Sequence, residues 1–174
     1  INPVDDLETE AAIETILRHE GPVYLRLGRL AVERVHEKKQ PFKIGKGETL
    51  VDGDDGTILA TGLMVQEALI AAQQLKQLGI SVRVLNFSTI KPLDEELVLQ
   101  AAEETPWIIT AEEHSVIGGL GSAVSEFLSE QRPTKVVKIG IQDQFGQSGH
   151  PDLLKEHYGL TAKDIVDKAK QLNQ

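Results

Sequence analysis

The sequence predicts an α/β protein, a three-layer α/β/α domain around a mostly parallel sheet of about five strands. Three observations lead there. From Thr57 onward, short apolar runs alternate with helical patterns, and right-handed crossovers between parallel strands are the usual solution for such alternation. With 174 residues, 40% of them apolar, the chain can bury one sizeable core. Aromatic residues make up only 4%, so that core must be built from Val, Ile, Leu and Ala.

Taken in order, Asp5-Asp6 precedes Leu7, Ala11, Ile13, Ile16 and Leu17, a helical spacing with acids placed to cap the positive amino end. Gly21-Pro22 stops that helix, and Val23-Tyr24-Leu25-Arg26-Leu27 alternates like a strand ending at Gly28-Arg29. Residues 30–56 lack a sustained period and are rich in Gly, the composition of a linker with room for one short hairpin. Asp52-Gly53-Asp54-Asp55-Gly56 lacks the EF-hand ligand pattern and reads as a turn. Next come a strand at residues 57–62, a helix carrying Val65, Ala68, Leu69, Ala72, Leu75 and Leu78, and a strand at 81–87. A helix starting near Asp94, a strand from Trp107 to Thr110, a helix reaching Leu128 and a strand at 135–141 follow. Pro151 and Thr161 open two closing helices.

Composition excludes several classes of function. A net charge of −9 without a basic cluster beyond Lys38-Lys39 argues against a nucleic-acid partner. Zero cysteines exclude disulfides and thiolate metal sites and suit a reducing cytoplasm. Neither a membrane-spanning run nor a signal-peptide pattern is visible. The chain opens on Ile1 rather than Met, as a segment of a longer protein would.

Functional suspicion falls on residues 107–122, where Glu112, Glu113, His114 and Ser115 sit between a buried strand and the turn Gly118-Gly119-Leu120-Gly121. In open α/β sheets the carboxyl ends of strands are the usual place for ligands and partner loops. Gly119-Leu120-Gly121 is half of a dinucleotide fingerprint, but Val124 stands where the third glycine belongs, and two glutamates precede the turn. His114 next to two acids reads as a loop histidine at a subunit contact rather than as a catalytic base. His19, His36 and His157 lie in amphipathic surface segments and read as ordinary, and His150 suits a helix start. The chain has no nucleophile elbow, zinc spacing or P-loop. On its own residues it is not a complete enzyme, and no catalytic residue is assigned.

Five stretches carry a resemblance. Gly21 to Arg29 (GPVYLRLGR), Ala60-Thr61-Gly62, Ile90 to Asp94 (IKPLD), Glu112 to Ser122 (EEHSVIGGLGS) and Phe145 to Gly149 (FGQSG) resemble, in order and spacing, the carboxyl-terminal part of transketolase, of the short or split type. The resemblance implies that residues 1–35 are the tail of a pyrimidine-binding domain, 36–56 a linker, and 57–174 the C-terminal domain. It also implies an enzyme of the pentose phosphate pathway that uses thiamine diphosphate and Mg to move a two-carbon ketol unit between sugar phosphates. The magnesium motif and the cofactor-activating glutamate of that family are not in this sequence, so this segment alone is expected to bind no cofactor and to be inactive.

Arg29 matches the family's arginine for the substrate phosphate, and its planar donors suit that anion. Glu112, Glu113 and His114 are expected at a contact with another subunit or with the remaining domains. The implied partners are the diphosphate- and pyrimidine-binding domains or an amino-terminal subunit, in a homodimer. Second-ranked relatives are 1-deoxyxylulose-5-phosphate synthase and the beta subunit of 2-oxoacid dehydrogenases. A non-catalytic α/β domain binding a nucleotide or partner ranks third.

Overall fold

The computed structural model describes residues 1–29 and 31–173. Its elements run α1 (Asp6–Ile16), β1 (Glu48–Val51), β2 (Gly56–Ala60), α2 (Met64–Gln77), β3 (Val82–Asn86), α3 (Glu95–Glu104), β4 (Trp107–Ser115), α4 (Leu120–Gln131), β5 (Lys135–Ile141), α5 (Pro151–Tyr158) and α6 (Ala162–Leu172). The five strands form one sheet in the order β1-β3-β2-β4-β5, parallel except for β1, which pairs antiparallel with β3. This is the predicted three-layer α/β/α class.

Strand alternation divides the core in two. Ile58 and Ala60 of β2, Val82 and Val84 of β3, and Ile109 and Ala111 of β4 face α2 and α6. Leu59, Leu85 and Ile108, from the alternate positions, face α3 and α4. Successive side chains of a strand point to opposite faces, so each strand feeds both layers and reads as a continuous apolar run. Several helix ends follow local chemistry. Asp94 caps α3 by accepting from the Leu97 amide, and Thr161 and Asp164 form a reciprocal capping box on α6. Gly79, at φ +80°, takes the left-handed conformation just past α2.

Three elements differ from expectation. Residues 23–27 form no strand; their ladder partner is a single residue, since the Arg26 amide donates to the Ile1 carbonyl and the Ile1 amino group to the Tyr24 carbonyl, both at 2.8 Å. A strand needs a neighbour along its length, and alternation alone cannot supply one. Glu48–Val51, inside the stretch read as a linker, becomes edge strand β1. Finally, β4 continues five residues past Thr110 because β5 runs beside it, with Ala111 opposite Ile139 and, after an irregularity, Ser115 opposite Ile141. The acidic run 52–55 is a turn: Asp55 accepts from the Ser81 amide at 2.6 Å, and both Asp54 and Asp55 amides donate to the Ser81 carbonyl.

Candidate functional site

The polar residues singled out in the sequence lie at the carboxyl end of β4, and the extension of that strand separates their roles. Glu112 points inward and is 2% exposed. Its two carboxylate oxygens accept from the amides of Leu120 and Gly121, each at 2.8 Å. Gly119, the residue before α4, has no side chain to cap the helix, so a glutamate from the neighbouring strand does so. Burial pushes the Glu112 carboxyl above its ordinary pKa, and the two amides partly offset that. A β-carbon on Gly119 would stand 1.9 Å from Glu112 Oε2; the glycine is there because the carboxylate occupies the space. Glu112 is therefore engaged within the chain, and the expectation of an interface rests on its two neighbours.

Glu113 and His114 are more open. The Arg26 guanidinium donates to the Glu113 carbonyl at 3.0 Å and to its carboxylate at 3.5 Å, which joins the extended amino-terminal segment to β4. His114 is exposed and touches the Ser115 carbonyl through Nδ1 at 3.0 Å. Arg29, a few residues beyond Arg26, is exposed. Arg29, Glu112 and His114 lie outside the lining of the cavity around Glu8 and His36.

What the structure gathers instead is a cluster that the spacing of the sequence does not reveal. Connections leave β2 and β4 in opposite directions across the sheet, so their carboxyl ends flank the crevice where doubly wound folds bind ligands. Residues 1–12 lie against that end. Asn2 donates from its backbone to the Ser88 carbonyl at 2.8 Å and from its side chain to Thr61 Oγ1 at 3.3 Å. Gly62, at φ +54°, approaches Asn2 so closely that a β-carbon would be 2.5 Å from its amide nitrogen. Val4, Ala11 and Ala12 are buried.

Beside them, Glu8 accepts from the Val4 amide at 2.7 Å and the Asn86 side chain at 3.0 Å. Burial pushes its carboxyl up. His36 lies between two acids, with Nδ1 2.8 Å from Asp5 and Nε2 2.9 Å from Glu48. Burial disfavours its charge, but the bonds to Glu48 and Asp5 outweigh that and raise its pKa. Asp5 is held low despite burial by the Glu8 and His36 amides and the ring. Glu8, His36, Glu48 and Asn86, with Phe42, Lys43 and Lys46, line a cavity of about 250 Å³. Of these residues only His36 stands out in the sequence, where it reads as an ordinary surface histidine; the structure places it between two acids with its side chain 8% exposed. Its partners lie 31 and 12 positions away, beyond any local pattern.

The fold and its carboxyl-end chemistry define a doubly wound α/β domain whose amino-terminal segment lies against the carboxyl ends of β2 and β3. Comparison with known proteins narrows the class: the family described as transketolase, C-terminal domain, matches residues 45–165, and the chain belongs to it. The 6-deoxy-6-sulfo-D-fructose transketolase subunit SqwH of Clostridium sp. (strain MSTE9) is 49% identical over 172 residues, which is 99% of this chain and 53% of that protein. The 1-deoxy-D-xylulose-5-phosphate synthase of Heliobacterium modesticaldum is 41% identical, over 98% of this chain and 27% of that enzyme. Among solved structures, a split gene transketolase in an inactive tetramer of four beta subunits superposes with a TM-score of 0.95 at 47% identity, covering 98% of this chain and 56% of that one. The chain thus spans about half the length of the split transketolase relatives it matches.

Enzymes of this family depend in general on thiamine diphosphate. The glycine turn before α4 does not fit its diphosphate, because Glu112 already takes the Leu120 and Gly121 amides and would repel an anion. Among the described residues no group of three or more acidic or histidine side chains is arranged to hold a metal ion. No helix among the described residues is long and apolar enough to cross a membrane.

Proposed function

We propose that this chain is the carboxyl-terminal part of a thiamine diphosphate enzyme of the transketolase type, one that transfers a two-carbon ketol unit from a ketose phosphate to an aldose phosphate. In this reading it works only with the diphosphate- and pyrimidine-binding domains, supplied by an amino-terminal subunit or by the same polypeptide, and is inactive alone. The observation that carries the reading is its near end-to-end likeness, 49% identical across 99% of the chain, to a transketolase subunit.

Within that enzyme, this chain contributes positioning rather than carbon chemistry. Arg29 binds the phosphate of the sugar, distant from the reacting carbon; its exposure and position beyond the Arg26–Glu113 contact support a role toward a partner or ligand. Glu113 and His114, open at the end of β4, form part of a contact with the remaining domains. The extended residues 23–27 favour the same view, because they have the alternation of a strand but, among the described residues, pair by backbone hydrogen bonds with Ile1 alone. The assembled enzyme is a homodimer in this reading; that copies of such a chain can associate with one another is supported by the solved split transketolase, whose inactive form is a tetramer of beta subunits.

Combining the chain with its amino-terminal partner and assaying ketol transfer from a ketose phosphate tests this. Transfer by the mixture and none by either component is the expected result. Formation of 1-deoxyxylulose 5-phosphate instead would favour the synthase reading, which 41% identity to such an enzyme keeps second. Turnover by the chain alone would overturn the division of labour.

A further inference from the structure

We propose that His36 is a charged clasp: its imidazolium, gripped by Asp5 on one side and Glu48 on the other, fastens the amino-terminal segment to the sheet domain, and loss of one ring proton at alkaline pH loosens that segment. The inference concerns the fold and does not depend on the reaction proposed above.

The geometry requires the charge. A neutral imidazole has one N–H, so with a carboxylate oxygen 2.8 Å from Nδ1 and another 2.9 Å from Nε2, one ring lone pair would face an anion. Only the doubly protonated ring donates to both. Side-chain exposure is 8% for His36 and zero for Asp5 but 39% for Glu48, so a neutral ring keeps its one N–H for buried Asp5 and gives up the bond to Glu48, which is the tie to β1. Asp5 is committed on its other contacts too, since it accepts from the amides of Val35 and His36 at 3.0 and 2.9 Å and, through Oδ1, from Glu8 at 2.8 Å. One ring therefore ties together the start of α1, residues 35–36 and the edge strand β1.

The charged groups around the ring are Asp5 and Glu8 from the α1 segment and Glu48 from β1, with Lys43 and Lys46 in the walls of the adjoining cavity and Arg34, coupled to Asp5 but paired with Asp6 at 2.6 Å, just before the ring. Lys46 is neutralised by Asp94 and Glu96, at 3.1 and 3.0 Å. Carboxylates outnumber free cations at the ring, which favours its proton. The sign follows: a histidine whose pKa is higher in the folded state contributes its full stabilisation below about pH 6.5, and the contribution is lost as pH rises through the raised value.

The test is amide hydrogen exchange on the full-length chain over a pH series from about 7 to about 9.5, corrected for the intrinsic base-catalysed rate, with α4 as internal reference. Protection of α1 amides should fall about 10- to 100-fold relative to α4 on going to the higher pH, the range for losing one charge-assisted bond. In His36→Gln, α1 should be less protected at pH 7 and insensitive to pH. Glu48→Gln, which removes a partner without touching the buried acid, should shift the wild-type midpoint to lower pH. A flat wild-type ratio would overturn the proposal, and so would a pH dependence that survives in His36→Gln, an unmoved midpoint in Glu48→Gln, or ring nitrogen shifts of a neutral His36 at pH 7.

Discussion

Replacing Glu112 tests whether a strand side chain caps the helix after the glycine turn. In Glu112→Ala the Leu120 and Gly121 amides, each bonded at 2.8 Å in the native protein, lose their acceptor in a buried place. An unsatisfied buried donor costs about 1–3 kcal/mol, and a negative charge at a helix amino terminus adds about 0.3–1 kcal/mol. Against this stands the desolvation of the carboxylate, visible in its raised pKa, which the variant no longer bears. The net loss expected is about 2–4 kcal/mol, or roughly 4–16 °C in Tm for a domain of this size. Glu112→Gln keeps one acceptor but turns an NH2 group toward the second amide, and should lose about half as much.

Urea denaturation followed by circular dichroism and by the fluorescence of Trp107 is suited to the measurement, because Trp107 is the only tryptophan and is buried at the start of β4. An alanine variant within about 0.5 kcal/mol of wild type, the ordinary range for an inconsequential surface change, would show that Glu112 is not what holds α4 in place. It would also return Glu112 to the interface.

Other perturbations separate the remaining roles. In the reconstituted enzyme, Arg29→Ala should raise KM for phosphorylated sugars on the order of 10- to 100-fold with a smaller change in kcat, and Lys should rescue only partly; an equal loss with a non-phosphorylated acceptor would mean that Arg29 acts structurally. Glu113→Lys should change the stability of the chain by less than about 1 kcal/mol, since its pair with Arg26 is half exposed, yet weaken assembly with the partner domains. Sedimentation of the mixture reads that, and unchanged assembly and activity would remove Glu113 from the interface. Gly56→Ala places a β-carbon 2.1 Å from the Trp107 ring and should cost about 1–3 kcal/mol by overpacking, with a red-shifted Trp107 emission; an unshifted spectrum and wild-type Tm would refute the close contact.

Much of the fold was legible in the sequence because its signals are local. The alternation of apolar runs and helical faces after Thr57 gave the layers. Gly79, Asp94, Pro151 and Thr161 marked helix ends by chemistry confined to a few neighbouring residues. The site was less legible. Glu112, Glu113 and His114 are consecutive in the chain, and nothing in their order tells which one turns into the core; the register of β4 against β5 and the glycine at 119 decide it. The residues expected as strand 23–27 show the converse, since their alternation is clear but a ladder requires a neighbour.

By itself, the sequence determined the class of fold, the positions of most turns and caps, and the family, through motifs read along the chain. Tertiary structure alone decided that the amino-terminal segment lies across the carboxyl ends of β2 and β3, that Glu48–Val51 completes the sheet, and that His36 joins Asp5 to Glu48. The physical reason is distance along the chain. Helical and strand periods are set by backbone geometry within a few residues, whereas His36 meets its two acids only after loops of 12 and 31 residues have closed, and the closing is driven by apolar burial elsewhere in the core.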